Sequence, residues 1–226
     1  MEKVDFDHYA EDYDRVLAED LSMFGEESRY FAEYKIKLVR EKLSDKPLNI
    51  LDFGCGIGRN LKYFNKFFPE ANISGCDISA KSIEIAQKNN PDSAFFILND
   101  ENIKKHINKF DLIFTSCVFH HIQPALRIDS MNQIDSMLKV KGIFFIFEHN
   151  PYNPVTRKIV KDCIWDEDAI LLNTKEMLAL TEGIGFKLKE MKYTLFFPAF
   201  LKLFRFSEKY LGSLPLGGQY YVMAEK

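Results

Sequence analysis

The stretch LDFGCGIGR, positions 51–59, sets Gly54, Gly56 and Gly58 on alternate residues at the end of a short apolar run, with Asp52 just ahead of them. Glycine accepts positive φ and carries no Cβ, so a turn of this kind lets a ligand come close to the main chain. A dinucleotide fingerprint has the spacing G-x-G-x-x-G. Here the spacing is G-x-G-x-G, and Arg59 takes the place of the third fingerprint glycine. The Asp52 carboxylate would repel a pyrophosphate, yet it suits the cationic end of a ligand that carries an amino acid, directly or by ordering the backbone. Asp77, at the end of the next apolar run, lies where a carboxylate can accept both hydroxyls of a ribose, which serves a dinucleotide and an adenosyl compound equally well.

His120 and His121 follow the fourth apolar run and His149 follows the fifth. Ligands of open parallel sheets bind at these carboxyl ends, and histidine titrates where a general base for a hydroxyl nucleophile must. His121 and His149 are therefore the candidate bases and His120 a candidate acceptor contact; the competing role for the pair is a hydrogen bond to the loop backbone. No metal site is expected, because no set of Asp, Glu and His at ligand spacing completes the count and His149 lies on another element. In EHNPYNPVTR, positions 148–157, two prolines stiffen the chain, and Asn150, Tyr152 and Arg157 beside His149 could form an acceptor wall; the alternative is a rigid connection with turn-forming asparagines. Asp166, Glu167 and Asp168 could face a polar substrate or be a solvated charge run, and the solvated reading is the favoured one. Tyr9 and Tyr13 are placed to close over a ligand as a lid.

Alternating elements must position these groups. Apolar positions at helical spacing predict helices over 27–43, 59–68, 80–89, 125–138 and 175–182, and apolar runs predict strands over 49–53, 72–77, 94–98, 110–117 and 142–148. Strands separated by helices at this interval call for right-handed crossovers and a mostly parallel sheet covered on both faces. The tail differs: strands over 186–194 and 219–225 flank an apolar helical stretch at 198–211, which suggests an antiparallel hairpin at the edge of the sheet. With 226 residues, 46% apolar and 28% charged, the chain is expected to form one soluble domain, divided into a helical cap (1–44), a ligand-binding core (45–150) and acceptor-side elements (151–226). A net charge of −3 and the lack of a basic stripe with interleaved aromatics argue against nucleic acid as a partner. Cys55, Cys76, Cys117 and Cys163 form no CxxC pair and read as buried thiols. The acidic N-terminus is unlike a signal peptide and no run is long enough to span a membrane, so the expected location is cytoplasmic. The apolar stretch 195–206, with Lys202 and Arg205, is read first as core or dimer packing in a monomer or homodimer, with peripheral membrane contact as the alternative.

Taken together, the motifs resemble those of the class I S-adenosylmethionine-dependent methyltransferases, in particular small-molecule members of types 11 and 12. LDFGCGIGR is similar to their first motif, GCDIS with Asp77 to the second, ILND with Asp100 to the adenine segment, and FDLIFTSCVFHHI to the motif of the fourth strand. The resemblance implies a Rossmann-like seven-stranded α/β sheet with an antiparallel C-terminal hairpin. It implies that Asp52, Gly54, Cys55, Gly56 and Gly58 line the methionine moiety, that Asp77 holds the ribose, and that Asn99 and Asp100 meet the adenine. Ile78 would pack on the adenine face and Cys117 would lie near the methyl group. The tail segments DEDAILL and PLGGQYY look similar to those of bacterial enzymes of surface-polysaccharide pathways. The expectation is methyl transfer to a small molecule such as a sugar or glycolipid precursor, at oxygen, leaving S-adenosylhomocysteine. The alternatives are a non-catalytic S-adenosylmethionine-binding protein and a nicotinamide-dependent oxidoreductase, the latter disfavoured by the missing third fingerprint glycine.

Overall fold

A computed structural model describes residues 28–226. Tyr9, Tyr13 and the first part of the expected cap lie outside the described residues. The chain runs α1 (Ser28–Lys42), β1 (Asn49–Phe53), α2 (Leu61–Phe67), β2 (Asn72–Asp77), α3 (Ala80–Asn89), β3 (Ala94–Ile97), α4 (Asp100–Lys105) and β4 (Phe110–Ser116). It continues through α5 (Arg127–Met137), β5 (Leu138–His149), α6 (Pro154–Asp162), α7 (Thr174–Gly183), β6 (Lys187–Thr194), α8 (Glu208–Leu211) and β7 (Gln219–Glu225). The strands form one seven-stranded sheet in the order β3-β2-β1-β4-β5-β7-β6. β1 to β5 are parallel, and β7 enters antiparallel between β5 and β6, setting Gln219 opposite both His149 and Thr194.

Side-chain alternation splits the core into two layers. Phe145 and Phe147 of β5 pack with Leu112 and Phe114 of β4 under α1, α2 and α3, while Phe144 and Ile146 pack on the opposite face against Met131 and Ile134 of α5 and Met177 of α7. Both faces are thus buried, which is why the parallel strands read as unbroken apolar runs rather than as alternating ones. Asp52, two residues after Ile50, points to the α1 face.

Sequence pattern and structure differ at four places, one being the helical stretch expected over 198–211, where Ala199–Ser207 is 3-10 and kinked at Leu201 and only α8 is α-helical. α4 is too short to show periodicity; it exists because the Asn99 side chain caps it, accepting from the Asn102 amide. α6 begins inside the segment read as a stiff loop: Asn153 accepts from the amides of Val155 and Thr156, and Pro154 takes the first helical position, where no amide hydrogen is needed. β5 reaches back to Leu138, because Lys141 adopts a φ of 64° and the pairing with β4 shifts register between Phe110 and Leu112.

Candidate functional site

The glycine turn leaves β1 with Gly54, Gly56 and Gly58 at φ of 74°, 52° and 82°. Their reasons for being glycine differ. A Cβ on Gly54 would lie 2.5 Å from a Val118 methyl, and one on Gly58 would lie 2.6 Å from Nδ2 of Asn90 at the end of α3, so both are fixed by internal packing. A Cβ on Gly56 would meet nothing within 4 Å, so only this glycine opens on space. The Asp77 carboxylate closes the turn from β2, accepting from the Gly56 amide at 2.8 Å and from the Ser79 amide at 3.0 Å. The Cys55 backbone belongs to the turn, but its thiol packs into the core beside Gly75 and Phe95, and burial raises its pKa well above the usual value.

Asp52 is fully buried. Its Oδ2 accepts from Asn60 Nδ2 at 3.1 Å, while Oδ1 has no hydrogen-bond partner among the described residues. Burial pushes its pKa up to about 7 against the opposing Asn60 hydrogen bond, with Asp77 adding to the rise. An orphaned buried carboxylate oxygen beside an open glycine suits a cationic ligand lying close to the main chain, which is what the amino-acid end of S-adenosylmethionine offers. Farther along the sheet edge, Ile78 is 56% exposed after β2 despite being apolar, and Asn99 and Asp100 are exposed at the start of α4.

The second half of the site stands at the ends of β4 and β5. Val118, which touches Gly54, and Phe119 donate their amides to Glu148 Oε1 at 3.0 and 2.7 Å. Glu148 Oε2 lies 2.6 Å from His120 Nδ1. Burial would raise the pKa of Glu148, but His120 brings it below the usual carboxylate range; burial would lower that of His120, but Glu148 and Asp166 bring it well above the usual imidazole range. His121 is pushed down to about 4, first by burial and then by His120, so its imidazole is neutral at physiological pH. Asp166 Oδ1 lies 3.3 Å from His120 Nε2 and 3.4 Å from His121 Nε2, and Asp168 Oδ1 lies 3.5 Å from His121 Nδ1.

Beside this cluster, Cys117 has a φ of 58°, a left-handed conformation uncommon outside glycine, at the point where β4 ends. Its Sγ accepts from Gln219 Nε2 at 3.2 Å and lies 3.7 Å from Lys35 Nζ, which itself donates to Ser116 Oγ at 2.6 Å. Burial would raise the Cys117 pKa, but Lys35 and His149 bring it down to about 6. His149 in turn is raised, with Cys117 overcoming the effect of burial.

Several expectations need correction. Asn150 does not line an acceptor wall: it is fully buried, and its side chain donates to the carbonyls of Pro215 and Gly217 and accepts from the Tyr152 amide, tying the end of β5 to the approach to β7. Tyr152 and Arg157 are exposed, Arg157 on α6. Asp166 and Asp168 are not solvated; they pack against the histidines, and of that acidic run Glu167 alone is exposed. The argument against a ligand set fails with them, because Asp166 brings to His120 and His121 the third group that local spacing lacked. The 195–206 stretch is core only at its start, where Phe196 packs against the sheet; farther on, Phe200 is 80% and Leu203 81% exposed.

Lys35, Asn60, Gln219 and Glu148 have roles that sequence reasoning missed. Lys35 left a readable signal, because it falls on the stripe Phe31–Lys35–Val39 at spacings of four, where a lysine interrupts the buried face of α1. Gln219 left none, since its place depends on β7 pairing with β5.

Residues 51–144 match the family model described as a methyltransferase domain. These residues match a methyltransferase domain, and the sheet around them has the fold of S-adenosylmethionine-dependent methyltransferases. The chain is 28% identical over 148 residues to the demethylmenaquinone methyltransferase of Thermotoga maritima, covering 66% of this chain and 61% of that protein. It is 30% identical over 132 residues to a malonyl-[acyl-carrier protein] O-methyltransferase of Halalkalibacterium halodurans, covering 54% of this chain and 48% of that protein. It thus spans about half to three fifths of the length of these curated relatives. Among solved structures, a SAM-dependent methyltransferase from Archaeoglobus fulgidus superposes with a TM-score of 0.68 at 17% identity, over 88% of this chain and 95% of that one. The plantazolicin methyltransferase in complex with SAH gives 0.65 at 18% identity, over 98% and 94% of the two chains. At such identities these structures share the fold. No helix among the described residues is long and apolar enough to cross a membrane.

Proposed function

We propose that the protein transfers a methyl group from S-adenosylmethionine to a hydroxyl oxygen of a small acceptor, a sugar or glycolipid precursor by class. Bound at the glycine turn, S-adenosylmethionine supplies an electrophilic methyl group on a sulfonium. Asp52 and the backbone at Gly56 would hold its amino-acid end, Asp77 the ribose, Asn99 and Asp100 the adenine edge and Ile78 the adenine face. Methyl transfer is an in-line displacement, so the protein mainly fixes donor and acceptor at roughly 3 to 3.5 Å and keeps water out. A hydroxyl acceptor must also lose a proton, so a base is needed beside the methyl group.

The observation that carries this reading is the placement of Cys117 and His149 at the adjoining ends of β4 and β5, with the Cys117 amide on the Phe147 carbonyl, Gln219 opposite His149, and Lys35 and Gln219 on the sulfur. The pair can take the hydroxyl proton and spread the resulting charge, which is a general-base role. His121, held between Asp166 and Asp168, would orient the acceptor.

The test is transfer of labelled methyl from S-adenosylmethionine to a panel of sugar nucleotides, lipid-linked sugars, quinols and malonyl-acyl carrier protein. The expected product is a base-stable ether, formed about 10²- to 10⁴-fold more slowly by His149→Gln with cofactor affinity unchanged. A base-labile ester on malonyl-acyl carrier protein, or a C-methylated quinol, would refute the hydroxyl reading.

A further inference from the structure

The ends of β4 and β5 gather groups that the cofactor does not use. His120 Nε2 and His121 Nε2 converge on one oxygen, Asp166 Oδ1, at 3.3 and 3.4 Å, and the ligand atoms of all three residues lie within 4.8 Å of one another. These separations are longer than the common N–H···O hydrogen bond of roughly 2.7 to 3.2 Å. They match the edge of a coordination tetrahedron, since two ligand atoms each about 2.0 to 2.1 Å from a zinc-type ion stand about 3.3 to 3.4 Å apart.

The surrounding atoms fit the same role. An imidazole that binds a metal through one nitrogen usually donates its other N–H to a carboxylate, which fixes the ring. Here His120 Nδ1 lies 2.6 Å from Glu148 Oε2, and His121 Nδ1 lies 3.5 Å from Asp168 Oδ1. Glu148 is itself held by two backbone amides. One close carboxylate–histidine arm, Glu148–His120, and the imidazole of His121, which faces Asp168 at a longer distance, thus end at one shared point, from three separate parts of the chain. The site lies at the chemistry rather than at the surface: His120 is buried, and its ring centroid is 5.0 Å from that of His149. Three carboxylates around two imidazoles leave an excess of negative charge that a divalent cation would offset.

We propose that His120, His121 and Asp166 bind one divalent transition-metal ion of the zinc type, with Glu148 and Asp168 orienting the two imidazoles. Three protein ligands leave a fourth coordination position, as in catalytic rather than structural zinc sites. In the hydroxyl-methylation reading, on which this last step rests, that position takes the acceptor oxygen and lowers its pKa beside Cys117 and His149.

Ion binding is measured apart from methyl transfer. The chelator-stripped chain is titrated with Zn²⁺ by calorimetry, with metal content counted after gel filtration, and each variant is titrated with S-adenosylhomocysteine to verify its fold. The expected result is one ion per chain with a Kd below about 1 μM. Asp166→Asn and His121→Gln should each weaken binding about 100-fold or more, Asp168→Asn by about 10- to 100-fold, and the distant His106→Gln not at all. Stripped protein that binds S-adenosylhomocysteine but takes up no Zn²⁺ would overturn the proposal, and so would Zn²⁺ affinity unchanged by Asp166→Asn. A C-methylated product would remove the hydroxyl reading and leave the zinc measurement standing.

Discussion

A carboxylate with one bonded oxygen and one orphaned oxygen, sealed at the end of β1, makes Asp52 costly to ionise and useful once a cation arrives. Its folded pKa of about 7 lies above the unfolded value of about 4, so the stability it contributes is complete below about pH 4 and is lost as pH rises to about 7. Asp52→Asn should therefore raise the melting temperature of the ligand-free protein at pH 8, by about 2 to 4 °C for each kcal/mol relieved, as scanning calorimetry would show. Cofactor binding should respond oppositely. The ionised fraction of a group with this pKa falls about tenfold from pH 8 to pH 6, so S-adenosylhomocysteine affinity should fall about tenfold as well, and Asp52→Asn should bind weakly with a flat profile. The glycines separate packing from binding in the same way. Gly58→Ala drives a Cβ into Asn90 and Ala86 and should cost about 2 to 3 kcal/mol in denaturant unfolding, whereas Gly56→Ala, with open space around it, should cost about 1 to 2 kcal/mol of strain and mainly lose cofactor affinity. The sequence shows three equivalent glycines; which one faces a ligand depends on what α3 and Val118 do on the other sides.

Among the elements, the link between β5 and β7 matters most. Asn150 holds the carbonyls of Pro215 and Gly217, the Tyr152 amide and, through its backbone amide, the Gly218 carbonyl, so that Gln219 arrives opposite His149. Asn150→Ala would strand buried carbonyls, and its expected cost in denaturant unfolding is about 2 to 4 kcal/mol. Because Gln219 then loses its register beside Cys117, methyl transfer should fall more than cofactor affinity in that variant. The strands themselves were legible, since β1, β2 and β7 coincide with their apolar runs and α3 with its helical pattern. The helices α4 and α6 were not. α4 rests on an asparagine cap more than on a periodic face; α6 does have a buried face, Thr156 and Val160 at a spacing of four, but its cap lies within a proline-rich stretch that looks like a turn.

Across the whole molecule, the described surface carries one feature the sheet does not need. Phe200, Leu203, Phe206 and Tyr210 are exposed beside Lys202 and Lys209, so they contribute little to folding. Leu203→Ser with Phe206→Ser should leave unfolding free energy within about 0.5 kcal/mol per site, and a larger loss would mean that the stretch packs against the protein after all. The sequence by itself determined the alternating architecture and the glycine turn after β1, because buried parallel strands, glycine spacing and a following carboxylate are local patterns carried by a few adjacent residues. The tertiary structure alone decided the chemistry opposite that turn. Lys35 from α1, Asp166 and Asp168 from beyond α6, and Gln219 from β7 reach His120, His121, His149 and Cys117 only when strand order brings distant segments together. No local periodicity encodes that meeting: Lys35 alone shows as a lysine interrupting the buried face of α1, and each of the other side chains looks like an ordinary polar residue on its own element.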